Sequence, residues 1–312
     1  MALTLKVNTN SSAAVITACI LFGTAGIFIN GICEMETGSI LFYRLLFGLA
    51  GILVYLISFK KLYKLSLQGN KKYLGLLGIL NTVTVFSYYN SIRLTSLSVA
   101  VLLLYTAPIY VTLFSPIFLK EKITLNSILA LFLCFLGIVV VIDPKSLFAA
   151  GSLGSAGEKC FSGLLWGLLS GLSYGISILM VSYLKKDYSG LSQTFWSTLV
   201  SLVLLLPFGL SVPSPVLIKN LGMLIPFGLL GTAIGTLLYF CGLARIKAQK
   251  ASVLSLLEPV SSIFFGCALL GETLCANTLE GCAFILFGAL FANFKLPFRL
   301  KKKLSIIKTV NV

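Results

Sequence analysis

Residues 256–272 read LLEPVSSIFFGCALLGE, an apolar stretch interrupted near its start by Glu258 and Pro259. A charge at membrane depth costs about 2.5–3.5 kcal/mol on insertion scales, and a proline removes one helix hydrogen bond. The surrounding fold has to offset both costs. The stretch therefore indicates a polar environment inside the protein, and not a helix that faces lipid on all sides.

The composition is that of a membrane protein. Of 312 residues, 58% are hydrophobic and 11% are charged, whereas soluble domains carry about 25% charged residues. The apolar residues fall in blocks of about 20, the length of a helix that crosses the bilayer. Because barrel strands would alternate polar and apolar residues, we predict an all-α membrane protein with ten transmembrane helices. The predicted spans are 12–31, 38–58, 73–92, 97–118, 123–142, 161–183, 190–210, 221–243, 250–270 and 276–294.

The placement of the net charge of +15 argues against a nucleic-acid partner. With both termini cytoplasmic, the inside segments hold 19 Lys and Arg, the outside loops hold 4, and Arg44 lies within a span. This is the positive-inside asymmetry. It predicts an integral protein of a plasma membrane or bacterial inner membrane, with a basic cytoplasmic tail over 295–312. The expected partners are the lipid bilayer and a small-molecule substrate.

The chain contains an internal repeat. When TAPIYVTLFSPIFLKE (106–121) is aligned with the later stretch at a shift of 151 residues, Pro108 falls on Pro259 and Glu121 falls on Glu272. A proline and a glutamate thirteen residues apart in both halves predict a duplicated five-helix unit. The predicted segments are a first repeat over 12–142, an external connecting loop over 143–160 and a second repeat over 161–294.

Five helices per repeat place the second repeat upside down relative to the first. Inverted repeats are a transporter architecture in which the substrate site lies near the midplane, where the repeats meet and helices are broken. We therefore predict a central cavity that Glu258 faces, with Pro108 and Pro259 acting in gating. The alternatives are that the prolines only pack, and that Glu258 is paired with the other intramembrane charge, Arg44.

These motifs resemble those of the drug/metabolite transporter superfamily, specifically its EamA-type ten-helix members. The resemblance covers residues 12–294 and is carried by Pro108, Glu121, the EPV of residues 258–260, Glu272, Arg44, Gly137 and Gly288. It implies a basket of helices in which helices 5 and 10 are peripheral, and movement of small organic metabolites without ATP hydrolysis. One departure is in helix 1, where Phe22-Gly23 stands in place of a tryptophan that is often found there.

Polar and aromatic side chains at helical spacing mark the predicted lining of the path. Two such stripes, on helices 3 and 8, are related by the repeat, whereas interhelical hydrogen bonding is the alternative role for groups of this kind. The predicted substrate-binding residues are Asn81, Thr84, Tyr88, Tyr105, Trp166, Ser170, Tyr174, Thr232, Thr236, Tyr239 and Glu258. Helix 6 also carries glycine at every fourth position (163, 167, 171 and 175), which indicates close helix packing.

The aromatic rings and Glu258 favour an amino-acid-like or nucleoside-like substrate, such as S-adenosylmethionine or an aromatic amino acid. A proton and a counter-substrate are both compatible as the coupling partner, and the expected assembly is a monomer or weak homodimer. Histidine is absent and the eight cysteines form no C-x-x-C motif, so we expect no metal, no cofactor and no catalytic site. A structural or sensory membrane partner and, less well supported, a membrane-embedded lipid enzyme remain the alternatives to a transporter.

Overall fold

The computed structural model describes residues 2–67, 69–95, 97–142, 157–271 and 276–293, and these residues form helices and short connections without a strand. In chain order the helices are α1 (Ala2–Gly23), α2 (Ala25–Gly31), α3 (Thr37–Ser58), α4 (Lys71–Leu94), α5 (Leu97–Leu104), α6 (Ala107–Phe118), α7 (Leu125–Ile142), α8 (Gly157–Leu184), α9 (Gly190–Leu204), α10 (Leu206–Leu210), α11 (Ser214–Phe227), α12 (Leu237–Leu243), α13 (Ala248–Ser255), α14 (Leu257–Leu270) and α15 (Ala276–Asn293). A π-helical segment, Gly228–Thr236, joins α11 to α12. Most of the predicted connecting loop, Glu272 and the predicted basic tail lie outside the described residues.

The predicted all-α membrane fold is confirmed. Six described segments are long and apolar enough to cross a membrane, and α7 and α15 supply two shorter apolar helices. Neither α4 nor α9 is among the six, so the predicted count of ten crossings is not matched in full. α9 has only 15 residues, and its polar content is buried in protein, where a lipid-like composition is not needed. Its buried polar side chains are Ser192, Gln193, Thr194, Ser197, Thr198 and Ser201.

Three predicted helix starts differ most from the structure. The first span was predicted to begin at residue 12, but α1 begins at Ala2. The eighth span was predicted to begin at residue 221, but α11 begins at Ser214, because Pro215 is accommodated in the first helical turn. The sixth was predicted to begin at residue 161, but α8 begins at Gly157, within the predicted connecting loop.

The predicted helices 4 and 9 are each broken at equivalent positions. The first break lies at Tyr105 and Thr106, between α5 and α6, and the second lies at Leu256, between α13 and α14. The shift of 151 residues that aligns the repeats also relates position 105 to position 256. Pro108 and Pro259 follow these breaks, as expected of residues that cannot donate a backbone hydrogen bond.

Helices α7 and α15 correspond to the predicted helices 5 and 10, for which the family resemblance implies a peripheral position. They pack chiefly against each other. A Cβ on Gly137 would lie 2.6 Å from the carbonyl oxygen of Gly281, and one on Gly288 would lie 2.9 Å from that of Ala130. Each contact is the image of the other at a shift of 151 residues. Such reciprocity is what two structurally equivalent repeats related by a pseudo-two-fold axis produce.

Loops predicted to lie on the same side of the membrane contact each other. Between the two predicted outside loops, Lys219 Nζ lies 2.7 Å from Glu34 Oε1 and holds the pKa of that carboxyl below its usual value. Between two predicted inside loops, the backbone N–H of Ala248 donates to Glu121 Oε1 at 3.0 Å. Both contacts agree with the predicted alternation of chain direction from one helix to the next. The cytoplasmic position of the termini stays a prediction.

Candidate functional site

A cavity of about 190 Å³ lies between the two repeats. The first repeat contributes Arg44 and Asn81 to its wall, and the second contributes Thr232 and Tyr239. The residues that line this inner cavity are Phe22, Leu41, Arg44, Leu45, Asn81, Thr82, Thr84, Val85, Tyr174, Thr198, Ser201, Leu205, Thr232, Thr236, Tyr239 and Phe240. It is a mixed wall of apolar, aromatic and hydroxyl groups with one permanent charge, as is usual for a small-molecule site.

A second cavity of about 450 Å³ adjoins the first. The two share four wall residues, Leu41, Thr82, Val85 and Leu205. This outer cavity is lined further on by the segment 35–38, where α3 begins, and by residues near the end of α4. Together they form a path from the centre of the molecule toward one end of the helical bundle.

The opposite end of the bundle is closed by contacts between α6 and α13. Gln249 Nε2 donates to Ser115 Oγ at 2.6 Å, and both side chains are buried. One turn beyond α6, Glu121 accepts from the first backbone N–H of α13, where the positive end of the helix dipole favours an acceptor. Among the described residues, the two cavities therefore lead toward the end of the bundle where α3 begins, and the contacts between α6 and α13 lie at the other end.

Arg44 is held at the cavity wall by the π-helical segment. Its guanidinium carbon lies 4.7 Å from the centre of the Phe227 ring, a cation–π contact. A Cβ on Gly231 would lie 3.0 Å from Arg44 Nε, so glycine at this position makes room for the guanidinium. The wider π turn is completed by Thr236, whose hydroxyl donates to the carbonyl of Gly231 at 3.1 Å. Helices of the π type are rare and are frequently found at functional sites.

The other polar side chains of the wall differ in whether the protein satisfies them. The hydroxyl of Thr84 contacts the carbonyl of Leu80 at 2.8 Å and Ser173 Oγ at 2.9 Å. Thr232 Oγ1 and Arg44 Nε, in contrast, are buried and have no hydrogen-bond partner among the described residues. The two unsatisfied donors belong to opposite repeats and line the same cavity.

The predicted substrate-binding residues divide into two sets. The set that lines the inner cavity is Asn81, Thr84, Tyr174, Thr232, Thr236 and Tyr239. The set that does not is Tyr88, Tyr105, Trp166, Ser170 and Glu258. In this second set Ser170 donates to the carbonyl of Gly167 at 2.6 Å, and the Trp166 ring packs edge-on against Phe86.

The charge of Glu258 interacts electrostatically with a group of tyrosines. They are Tyr88, Tyr105, Tyr174 and Tyr239. Tyr174 and Tyr239 also line the inner cavity, and their hydroxyls are 3.4 Å apart. The charges of Glu258 and Arg44 interact as well, but no ion pair joins them. The tyrosine pair thus links the cavity to the region of Glu258.

The sequence pattern missed several wall residues. Thr198 and Ser201 on α9 are hydroxyl residues three positions apart, a spacing that marks one face of a helix. Gln193 and Trp196 of the same helix each donate a hydrogen bond to a backbone carbonyl, of Tyr188 and of Leu65 respectively. The apolar wall residues carry no signal in the sequence that separates them from lipid-facing ones.

Comparison with known proteins agrees with this architecture. Residues 11–143 and 161–294 each match the EamA-like transporter family. An uncharacterized transporter of Archaeoglobus fulgidus is 30% identical over 90% of this chain and 95% of its own length. The uncharacterized transporter YoaV of Bacillus subtilis is 28% identical over 82% of this chain and 87% of its own.

A solved crystal structure has the same fold, with a TM-score of 0.77 at 17% identity over 91% of this chain and 97% of that one. The double match to one family model falls on the two halves whose contacts are reciprocal. The chain belongs to the EamA-like transporter family.

Proposed function

We propose that the protein is a secondary transporter that moves a small polar organic metabolite across the membrane by alternating access. The observation that carries the proposal is the path between the repeats, which reaches one end of the bundle while Ser115 and Gln249 close the other. A transporter that alternates has to be open to one side at a time. With the positive-inside orientation, this conformation is open to the outside.

The wall supports an amino-acid-like or nucleoside-like substrate, as the sequence pattern also favours. Tyr174, Tyr239 and Phe22 form an aromatic side of the cavity, with the Phe22 and Tyr239 ring centres 6.0 Å apart. Aromatic rings of this kind stack on flat substrates and attract cations. S-adenosylmethionine and aromatic amino acids are members of this class, and exchange against a counter-substrate is one coupling scheme.

Glu258 is proposed to act in coupling, as the site of a proton or as a contact for substrate after the path changes sides. Its interactions with Tyr174 and Tyr239 support this, because these two tyrosines line the cavity and also interact electrostatically with Glu258. Monomers or weak homodimers in the plasma or inner membrane fit this function.

A two-step experiment tests the proposed function. Purified full-length protein is first screened by thermal unfolding against a metabolite library, because a ligand that binds the folded state raises the unfolding midpoint by mass action. Ligands that raise the midpoint are then tested for uptake into proteoliposomes. We expect saturable uptake of at least one of them; binding without any flux would refute transport.

Pro259→Ala tests the proposed role of the helix breaks. The substitution supplies an N–H at position 259 that can bond the carbonyl of Ser255, and so favours one continuous helix over α13 and α14. We expect the transport rate to fall about 10-fold while ligand affinity changes less than about 3-fold, since the break matters for the movement between states. Uptake rate and ligand-dependent unfolding measure the two effects. Equal losses in both, or none in either, would leave Pro259 with a packing role.

A further inference from the structure

We propose that Arg44 and Thr232 form a carboxylate-binding subsite in the inner cavity, so that the substrate is a small organic carboxylate. The inference rests on the proposed function and narrows its substrate class. Aromatic amino acids and S-adenosylmethionine carry a carboxylate, whereas plain nucleosides do not.

Arg44 brings a positive charge to the wall of the inner cavity. Arg44 lines the inner cavity, and no Asp or Glu is among the residues that line it with Arg44. The charge of Glu258 interacts with that of Arg44, but the two residues form no ion pair. A guanidinium in a partly buried apolar site is stabilised by an opposite charge, and the described part of the protein supplies none in contact.

Two hydrogen-bond donors of this wall lack partners in the described part of the protein. The Nε–H of Arg44 and the hydroxyl of Thr232 are both buried and both lack an acceptor among the described residues. Thr232 is 1% exposed, so bulk solvent does not hydrogen-bond to its hydroxyl. Other buried hydroxyls of the described residues, such as those of Ser87 and Ser177, also lack a partner. The donors of Arg44 and Thr232 differ in that both line one cavity, where an acceptor oxygen of a ligand would satisfy them. A carboxylate offers two such oxygens with one negative charge, which matches a single guanidinium.

The guanidinium of Arg44 is positioned by Phe227 and Gly231. The Phe227 ring lies on the guanidinium at 4.7 Å, and Gly231 leaves space beside Nε. Arg44 is therefore restrained before any ligand binds, and less rotamer freedom is lost when it does. The aromatic wall formed by Tyr174 and Tyr239 leaves room for the organic part of the ligand. A phosphate ester, with a second negative charge, has no second cation on this wall.

Thermal unfolding of the purified full-length protein tests the subsite with matched probes. L-phenylalanine is compared with L-phenylalaninamide, benzoate with benzamide, and phenyl phosphate serves as the competing oxyanion. We expect at least one carboxylate to raise the unfolding midpoint, with its amide needing about a 10- to 100-fold higher concentration for the same shift. In Arg44→Gln the difference between acid and amide should disappear. Equal shifts by acid and amide in the wild type, no shift by either carboxylate, or tighter binding of phenyl phosphate would overturn the subsite.

Thr232→Val keeps the test decisive if Arg44→Gln does not fold. Valine has the shape of threonine without the hydroxyl, and the hydroxyl has no protein partner to lose. We expect an unliganded midpoint that is unchanged or higher, and a preference for the acid that is reduced about 10-fold. An unchanged preference contradicts the role of Thr232 and, with an unchanged preference in Arg44→Gln, the subsite as a whole.

Uptake separates this inference from the proposed function. Saturable uptake of an uncharged metabolite that Arg44→Gln leaves unaltered would refute the carboxylate subsite and keep the transporter. A carboxylate preference in unfolding that depends on Arg44, without flux of any carboxylate that binds, would keep the subsite and refute transport.

Discussion

Glu258→Gln should reduce transport about 10- to 100-fold while the protein still inserts and folds. The substitution preserves the shape of the side chain and removes a charge that interacts with Arg44 and with the tyrosines around it. An intramembrane carboxylate that is retained without an ion pair is more costly to keep than an amide, so its loss should not lower stability. Uptake into proteoliposomes from pH 5 to pH 8, with the unfolding midpoint as the measure of folding, gives both quantities.

The outcome also decides between coupling and pairing. If Glu258 binds a coupling proton, Glu258→Gln should abolish the pH dependence of transport along with most of its rate. If its role were to pair with Arg44, each single substitution would lower the unfolding midpoint, and the double exchange Arg44→Glu with Glu258→Arg would recover part of the loss. No such recovery is expected, since no ion pair joins the two residues. Normal transport by Glu258→Gln at every pH would remove Glu258 from the function.

Gly171→Leu should prevent the protein from reaching a folded, monodisperse state. Gly171 in α8 faces the carbonyl oxygen of Leu103, and a Cβ there would lie 2.5 Å from Thr106 Oγ1. These atoms belong to the break between α5 and α6, where the hydroxyl of Thr106 donates to the carbonyl of Leu103 at 2.6 Å. A larger side chain has to separate the helices, because backbone atoms cannot rotate away. Small residues at helix contacts in membranes serve this close approach.

The milder Gly171→Ala should lower the free energy of unfolding by about 1–3 kcal/mol. Gly75→Ala in α4 is the matched control, because a Cβ on Gly75 meets nothing within 4 Å. The control should be neutral or slightly stabilising, since alanine is the better helix former. Midpoints of thermal unfolding in detergent compare the two. Equal midpoints for Gly171→Ala and Gly75→Ala would show that the contact between α8 and the α5–α6 break does not support the fold.

The sequence predicted the class of fold and its duplication because both depend on signals with a fixed period. Hydrophobic blocks predicted helices, and the shift of 151 residues predicted breaks at Pro108 and Pro259 that the structure places at equivalent positions. Boundaries were harder. Pro215 reads as an interruption in the sequence but lies in the first turn of α11 in the structure. The short α9, whose polar side chains are buried, shows why the number of membrane crossings cannot be counted from long apolar segments alone.

The cavity was predictable only in part, because a helical stripe shows which residues share a face and not what that face meets. Asn81 and Thr84 line the cavity. Tyr88, further along α4, does not line it and interacts electrostatically with Glu258. The π-helical segment changes the helical register of the polar stripe on predicted helix 8, and residue propensities do not predict a π-helix. Arg44 was considered as a partner for Glu258. Its place on the cavity wall follows from packing against Phe227 and Gly231, residues distant in sequence.

Counterflow in proteoliposomes tests most directly whether the cavity between the repeats is the transport path. Vesicles loaded with an unlabelled ligand are given the labelled ligand, for wild type and for Asn81→Leu. Asn81 lines the cavity and the leucine has a similar shape without polar atoms, so the unfolding midpoint should stay unchanged. We expect saturable counterflow in the wild type and a loss of about 10-fold or more in the variant. Equal counterflow in both proteins, or none for any ligand that binds, would contradict a transport path through this cavity.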